Sequence, residues 1–175
     1  MHNMKLIFLS LVIVFVASCS VEPVDVVKEG TLNFDESVTI GAALDGYKYF
    51  EKSTWETFET SQGRTIVEFT GVMAQNAYVG STLEGVRLTE EILTRSNVIM
   101  KDLKFTYSCQ FQISEEDDTF EVVYSGINFS GDDTIANEHL DDNVKDDDFS
   151  ILKRLYNNEP DENTLVFLIA IAAAY

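Results

Sequence analysis

The 175-residue sequence predicts an α+β fold, in which two hairpins form a four-stranded antiparallel sheet and helices pack on one face. Three observations lead there. From Ile99 to Ile113 the odd positions (Ile99, Leu103, Phe105, Tyr107, Cys109, Phe111, Ile113) are apolar save Lys101, and the even ones are polar save Met100. That period of two marks a strand with one buried and one wet face. Gln62-Gly63 stands as a turn between two β-rich runs, Ser53–Ser61 and Arg64–Met73. Stretches with apolar residues at helical spacing flank both hairpins.

Residues 1–18 read as a secretory signal peptide. A short start ending in Lys5 precedes the apolar run Leu6–Val16, broken by Ser10 alone, and the small residues Ala17 and Ser18 follow. As a helix the run extends about 17 Å, well short of a hydrocarbon core of about 30 Å, so it is a processed leader rather than a retained span. The sequence Val16-Ala17-Ser18-Cys19 resembles the lipobox of bacterial lipoproteins. That resemblance implies cleavage before Cys19, a diacylglyceryl thioether on its sulfur and commonly an acyl group on the new amino terminus. With Ser20 rather than Asp after the cysteine, it implies the outer membrane, facing the periplasm.

Residues 19–30 read as a tether containing Pro23, and residues 31–175 as one α+β domain. A first helix is expected near 35–46, capped by Asp35 or Ser37, with Val38, Ala42, Leu44 and Tyr47 on its apolar face and Gly46 at its end. After the first hairpin, Ser81-Thr-Leu-Glu84 has the form of a capping box and predicts a helix toward Arg95, although Gly85 weakens it. The 99–113 strand leads through the polar loop Ser114–Asp118 to its partner, Thr119–Phe129. The partner's apolar set changes parity from Phe120, Val122 and Tyr124 to Ile127 and Phe129, which places a bulge around Gly126. Beyond an acidic loop, Asp148–Asn157 predicts a short helix closed by Pro160, and Asp161 caps a last apolar segment, Leu165–Tyr175. That segment would extend about 16 Å as a helix, too short for a span. It reads as a core helix, with a buried strand, a membrane-contacting tail or an interface as alternatives.

Within the domain, the runs Gly30–Gly41, Trp55–Phe58, Gly63-Arg64 with Val67–Gly71, and Leu152 with Tyr156-Asn157-Asn158 resemble small uncharacterised bacterial lipoproteins. The resemblance implies an envelope location and no reaction, and it brings no catalytic residues.

The composition excludes several classes of function. Lys+Arg number 12 against 30 Asp+Glu, a formal charge of −18, which leaves no basic face for nucleic acid. Two cysteines exclude a disulfide-rich scaffold and a multi-cysteine zinc site, and a lipidated Cys19 leaves Cys109 without a partner in its own chain. Loss of residues 1–18 removes Lys5 and makes the charge −19, so anionic lipid surfaces repel the domain and the acyl chains on Cys19 must do the anchoring.

In the processed chain His139 is the one histidine, set in the acidic stretch Asn137–Asp142, so no nucleophile–His–acid set stands out. Cys109, on the apolar face of its strand, reads as a packing residue. No phosphate-cradling glycine loop, HExxH or CxxC occurs. Carboxylates are dense between 115 and 148: Glu115, Glu116, Asp117, Asp118, Glu121, Asp132, Asp133, Glu138, Asp141, Asp142, Asp146, Asp147 and Asp148. They supply material for a small envelope hydrolase, if two of them converge in a cleft with a perturbed pKa. They also supply oxygens for Ca²⁺ over Asp132–Asp148, but without the spacing of a calcium loop, and solvated loops account for them more simply. Tyr47, Tyr49, Phe50, Trp55 and Phe58 read as core aromatics, or as the lining of an apolar pocket or partner patch. The expectation is a lipid-anchored, non-enzymatic binding or interaction module of the cell envelope. It is held to the membrane through Cys19 and meets an envelope protein or small ligand. No catalytic, cofactor-binding or metal-ligating residue is assigned, and the hydrolase of the 115–148 region is the alternative.

Overall fold

The computed structural model describes residues 21–99, 104–114, 119–130 and 143–174. The expected lipidation site Cys19 and the leader before it lie outside the described residues, as do Glu115–Asp118 and the stretch 131–142 with His139.

Helix α1 (Pro23–Glu29) lies inside the stretch read as a tether. Proline in the first turn starts it, because the N–H that proline lacks has no helical acceptor there. Its Val27 is fully buried, yet seven residues are too few for a helical period to show. The Gly30 carbonyl after it accepts the N–H of Ile40 at 2.9 Å, which ties α1 to α2 (Ile40–Asp45). The cap of α2 is Thr39, whose Oγ1 accepts the Ala42 N–H at 3.2 Å. Asp35, one of the expected caps, instead closes a local turn by accepting the N–H and the hydroxyl of Ser37 at 2.9 and 2.6 Å. Those bonds hold its carboxyl below the ordinary carboxylate range. Gly46 ends α2 as the sequence suggests.

Strands β1 (Phe50–Glu59) and β2 (Thr65–Met73) form the first hairpin, with Trp55 opposite Phe69. After a single 3₁₀ turn, β3 (Thr82–Leu83) and β4 (Val86–Arg87) pair as a two-stranded ribbon, and α3 (Glu90–Ile99) follows. Strands β5 (Lys104–Ser114) and β6 (Thr119–Ser130) form the second long hairpin, and β7 (Asn143–Lys145) adds to its far side. Helices α4 (Ser150–Tyr156) and α5 (Glu162–Ala174) complete the chain.

Among the described residues the main sheet therefore has five antiparallel strands in the order β1-β2-β5-β6-β7, and β3 and β4 form a separate two-stranded sheet. This overturns the expected four-stranded sheet built from two hairpins, though the α+β class stands. Two local features account for the difference. The fifth strand is three residues long with one apolar side chain, Val144, so no alternation could reveal it; its position is set by pairing with Gly126, Ile127 and Asn128. The segment read as a capping box is the ribbon instead, because Glu84 and Gly85 both take positive φ (48° and 83°), as a two-residue hairpin turn of the primed type requires.

One face of the sheet carries the core. Val67, Phe69, Tyr107, Cys109, Phe111 and Ile127 are buried there with Val27, Leu44, Ile151, Leu152, Leu155, Leu165 and Leu168 from the helices. The other face is polar: Gln110 donates to Glu68 at 2.7 Å, and Arg64 to Gln112 at 3.2 Å. Of the clustered aromatics, Tyr47 and Tyr49 are buried, whereas Phe58 is 41% exposed on the polar face. Helix α5 packs Leu165 and Leu168 inward, and Phe167 meets Phe105 edge-on at 5.1 Å between ring centroids. The Ser96 hydroxyl of α3 donates to the Leu168 carbonyl at 2.8 Å. Among the described residues no helix is long and apolar enough to cross a membrane.

Asp161 caps α5 as the sequence suggests, Oδ2 accepting the Thr164 N–H at 2.7 Å, and it is wholly buried. Burial raises its pKa above the ordinary value of 3.8 against the pull of those hydrogen bonds. A raised carboxyl pKa means that the folded chain holds the proton more tightly than the unfolded one. Stability must then fall as pH rises from about 4 through the folded pKa, and the cost stays in full above it. Asp161→Asn keeps a capping oxygen and removes the ionisation. In thermal melts from pH 4 to pH 7, wild type should lose stability relative to Asp161→Asn as pH rises; parallel curves would show that Asp161 titrates normally.

Candidate functional site

The site begins with a bulge. Gln110 pairs with Tyr124 and Phe111 with Val122, so Val123 is an extra residue in β6. The expected parity change thus occurs, but at Val123 rather than around Gly126, and Tyr124 lies on the polar face opposite Gln110. Beyond the bulge Ser125, Ile127 and Phe129 face inward, opposite Cys109, Tyr107 and Phe105. Ahead of it the inward positions are Val122 and Phe120, opposite Phe111 and Ile113. Unbroken alternation would have turned Val123 and Glu121 inward in their place. The extra residue therefore turns Phe120 inward in place of Glu121, which stays exposed.

Phe120 and Val122 form the wall of an open groove of about 870 Å³. Val26, Gly30 and Leu32 also line it, as do Phe149 and Leu152 at the start of α4. The Phe120 ring lies against Gly30 where a Cβ would sit, so a side chain there would collide with the ring. Val21 and Phe34 stand at the rim, with Glu29, Glu121 and Lys153 as its charges. Phe34 remains 38% exposed although its ring meets Tyr156 edge-on at 5.0 Å. Lys153 Nζ lies 5.9 Å from the centroid of the Phe34 ring and donates to the Asp148 carbonyl at 3.0 Å.

The α4 side of the groove is held by Asp146, 2% exposed. Its Oδ1 accepts the Ile151 N–H at 2.9 Å and the Ser150 hydroxyl at 3.3 Å. Oδ2 accepts the Leu152 N–H at 2.9 Å and the Ser125 hydroxyl at 2.9 Å. Two of the otherwise unpaired donors at the start of α4 are thereby satisfied, and the helix is fastened to β6. The turn between Asp146 and α4 forces Phe149 into the left-handed region, φ 57°, a conformation costly for a bulky residue unless its surroundings fix it. The Ser125 hydroxyl is also 2.9 Å from that of Tyr107, whose pKa burial raises. Cys109, buried beside it on β5, has its thiol pushed up to about 12, chiefly by burial. Neither group is activated for nucleophilic chemistry.

Of the 115–148 carboxylates, the described ones are Glu121, Asp146, Asp147 and Asp148, and they do not form a catalytic pair. Glu121 is exposed at the groove rim, and Asp146 is spent on α4. Asp147 and Asp148 are exposed. Asp148 accepts the Ser150 N–H at 3.1 Å, and bonding to Ser150 keeps its carboxyl below the usual range. Among the described residues no group of three His, Cys, Asp or Glu is placed to hold a metal ion. Sequence reasoning missed the groove because its walls come from 21–34, 119–122 and 149–153, distant in the chain. The parity change in β6 was its one visible sign. Compared with protein-family models, with curated proteins and with solved structures, the chain finds no match.

Proposed function

We propose that the protein is a lipid-anchored, non-enzymatic binding module of the bacterial cell envelope, held at the outer membrane through Cys19 and taking an apolar ligand in the groove beside β6. The groove carries this reading: its less exposed lining is Val26, Leu32, Phe120, Val122, Phe149 and Leu152, while its polar and charged residues, Glu29, Thr31, Asn33, Thr119, Glu121 and Lys153, are exposed. The location rests on the lipobox-like Val16-Ala17-Ser18-Cys19.

Two measurements test the two halves of the reading. Cys19→Ser should abolish metabolic labelling with palmitate and release the protein from the membrane fraction; persistent label would sink the anchor. For the groove, the chain from Ser20 onward keeps every described element and the whole core. It should bind the neutral fluorophore N-phenyl-1-naphthylamine, and Val122→Glu, which buries a charge in the wall, should weaken binding about tenfold. Equal binding by both chains would place the ligand elsewhere.

A further inference from the structure

We infer that the groove beside β6 is the resting place of an acyl chain carried by the protein's own Cys19 whenever the molecule is away from a bilayer. The inference rests on the lipid anchor proposed above and adds to it an intramolecular occupant. Three observations carry it. First, Val21 lines the groove and is exposed, and Cys19 precedes it in the sequence by two residues. Two extended residues span at most about 7 Å, so a chain attached to the Cys19 sulfur starts within a short reach of the mouth.

Second, the lining suits an unbranched hydrocarbon. The less exposed part of the lining, Leu32, Phe120, Val122 and Leu152, is apolar, whereas its hydrogen-bonding side chains, Thr31, Asn33 and Thr119, are on exposed residues. Glycine at position 30 lets the Phe120 ring approach the backbone more closely than any side chain there would allow. Third, the charges favour a neutral occupant. The rim bears Glu29 and Glu121 against the single Lys153, on a chain of formal charge −18. An anionic amphiphile such as a free fatty acid is therefore repelled, whereas a thioether-linked diacylglyceryl group carries no charge. Off the membrane the alkyl chain and the exposed groove lining each face water, and docking one in the other removes both surfaces at once. In a bilayer the chain is already solvated by lipid and the groove is free for other ligands.

The test uses the full-length acylated protein, extracted from membranes and brought into detergent-free buffer. Phe34 and Phe58 make a matched pair, 38% and 41% exposed, one at the groove and the other on the polar face of the sheet. Each is replaced in turn by the photo-crosslinker p-benzoylphenylalanine. Irradiation should join the palmitate-labelled N-terminal peptide to position 34, with at least tenfold lower yield at position 58. The acylated protein should also exclude N-phenyl-1-naphthylamine, which the chain from Ser20 binds. Label without selective cross-linking, or equal fluorophore binding by the acylated and unacylated proteins, overturns the inference and leaves the anchor standing. Absence of palmitate label overturns both, and the two failures are told apart by the label itself.

Discussion

Replacing Asp146 by alanine should cost about 3 kcal/mol or more of folding stability, measured as a shift in the urea midpoint at constant slope. The carboxylate accepts two backbone N–H groups of α4 and the hydroxyls of Ser125 and Ser150, all within 3.3 Å. Alanine leaves the Ser125 hydroxyl and the Ile151 and Leu152 N–H groups buried without that acceptor, while the Ser150 hydroxyl is on an exposed residue, and each orphaned buried donor costs about 1–3 kcal/mol. The substitution also removes what fastens the turn at Phe149, so fluorophore binding in the groove should weaken with stability. Asp146→Asn retains one acceptor oxygen and should fall between the two. A loss under about 1 kcal/mol for alanine would mean that the serines and the helix start find water or other partners readily.

Gly71→Ala should be the second largest effect, about 2 kcal/mol, through overpacking rather than loss of contacts. A Cβ at Gly71 would lie 2.5 Å from two carbons of the Phe50 ring. That ring cannot simply yield, since it is set against Tyr47 at 4.7 Å, Phe69 at 5.5 Å and Tyr107 at 6.3 Å between centroids. The arrangement is an aromatic covering a sheet glycine, β1 lending its first side chain to β2. A double-mutant cycle identifies the source of the strain. Combined with Phe50→Ala, the Gly71→Ala substitution should cost almost nothing further, whereas additive losses would place the clash elsewhere.

The long elements were legible in the sequence because they repeat. Alternation over β5 and the Gln62-Gly63 turn between β1 and β2 each combine several residues into one signal, but the expected start of that strand at Ile99 is wrong, because Ile99 ends helix α3 and β5 begins at Lys104. Short elements carry too few residues for that. Strand β7 offers Val144 alone, and α1 is marked by Pro23 at its start and little else. Ser81–Glu84 shows a different failure: the same four residues satisfy a capping box and the first arm of a hairpin. The backbone at Glu84-Gly85 decided between them, through a glycine that the helix reading had to discount. The groove was the least legible feature. Its one local sign, the parity change in β6, was read three residues too late because Tyr124 was counted with the inward set although it lies on the polar face.

The burial of Cys109 bears on how the chain survives oxidation. Burial pushes the thiol up to about 12, which keeps it in the unreactive protonated form at neutral pH, and the folded sheet denies an oxidant access to it. Under oxidising conditions the free Cys109 is open to attack only while the chain is unfolded, when two copies can join through their sulfurs. Completion of β2, β5 and β6 closes that interval. Dimers of this protein linked through Cys109 would therefore record folding that was slow or incomplete, and their abundance after refolding in an oxidising buffer would serve as a clock for how quickly the central strands come together.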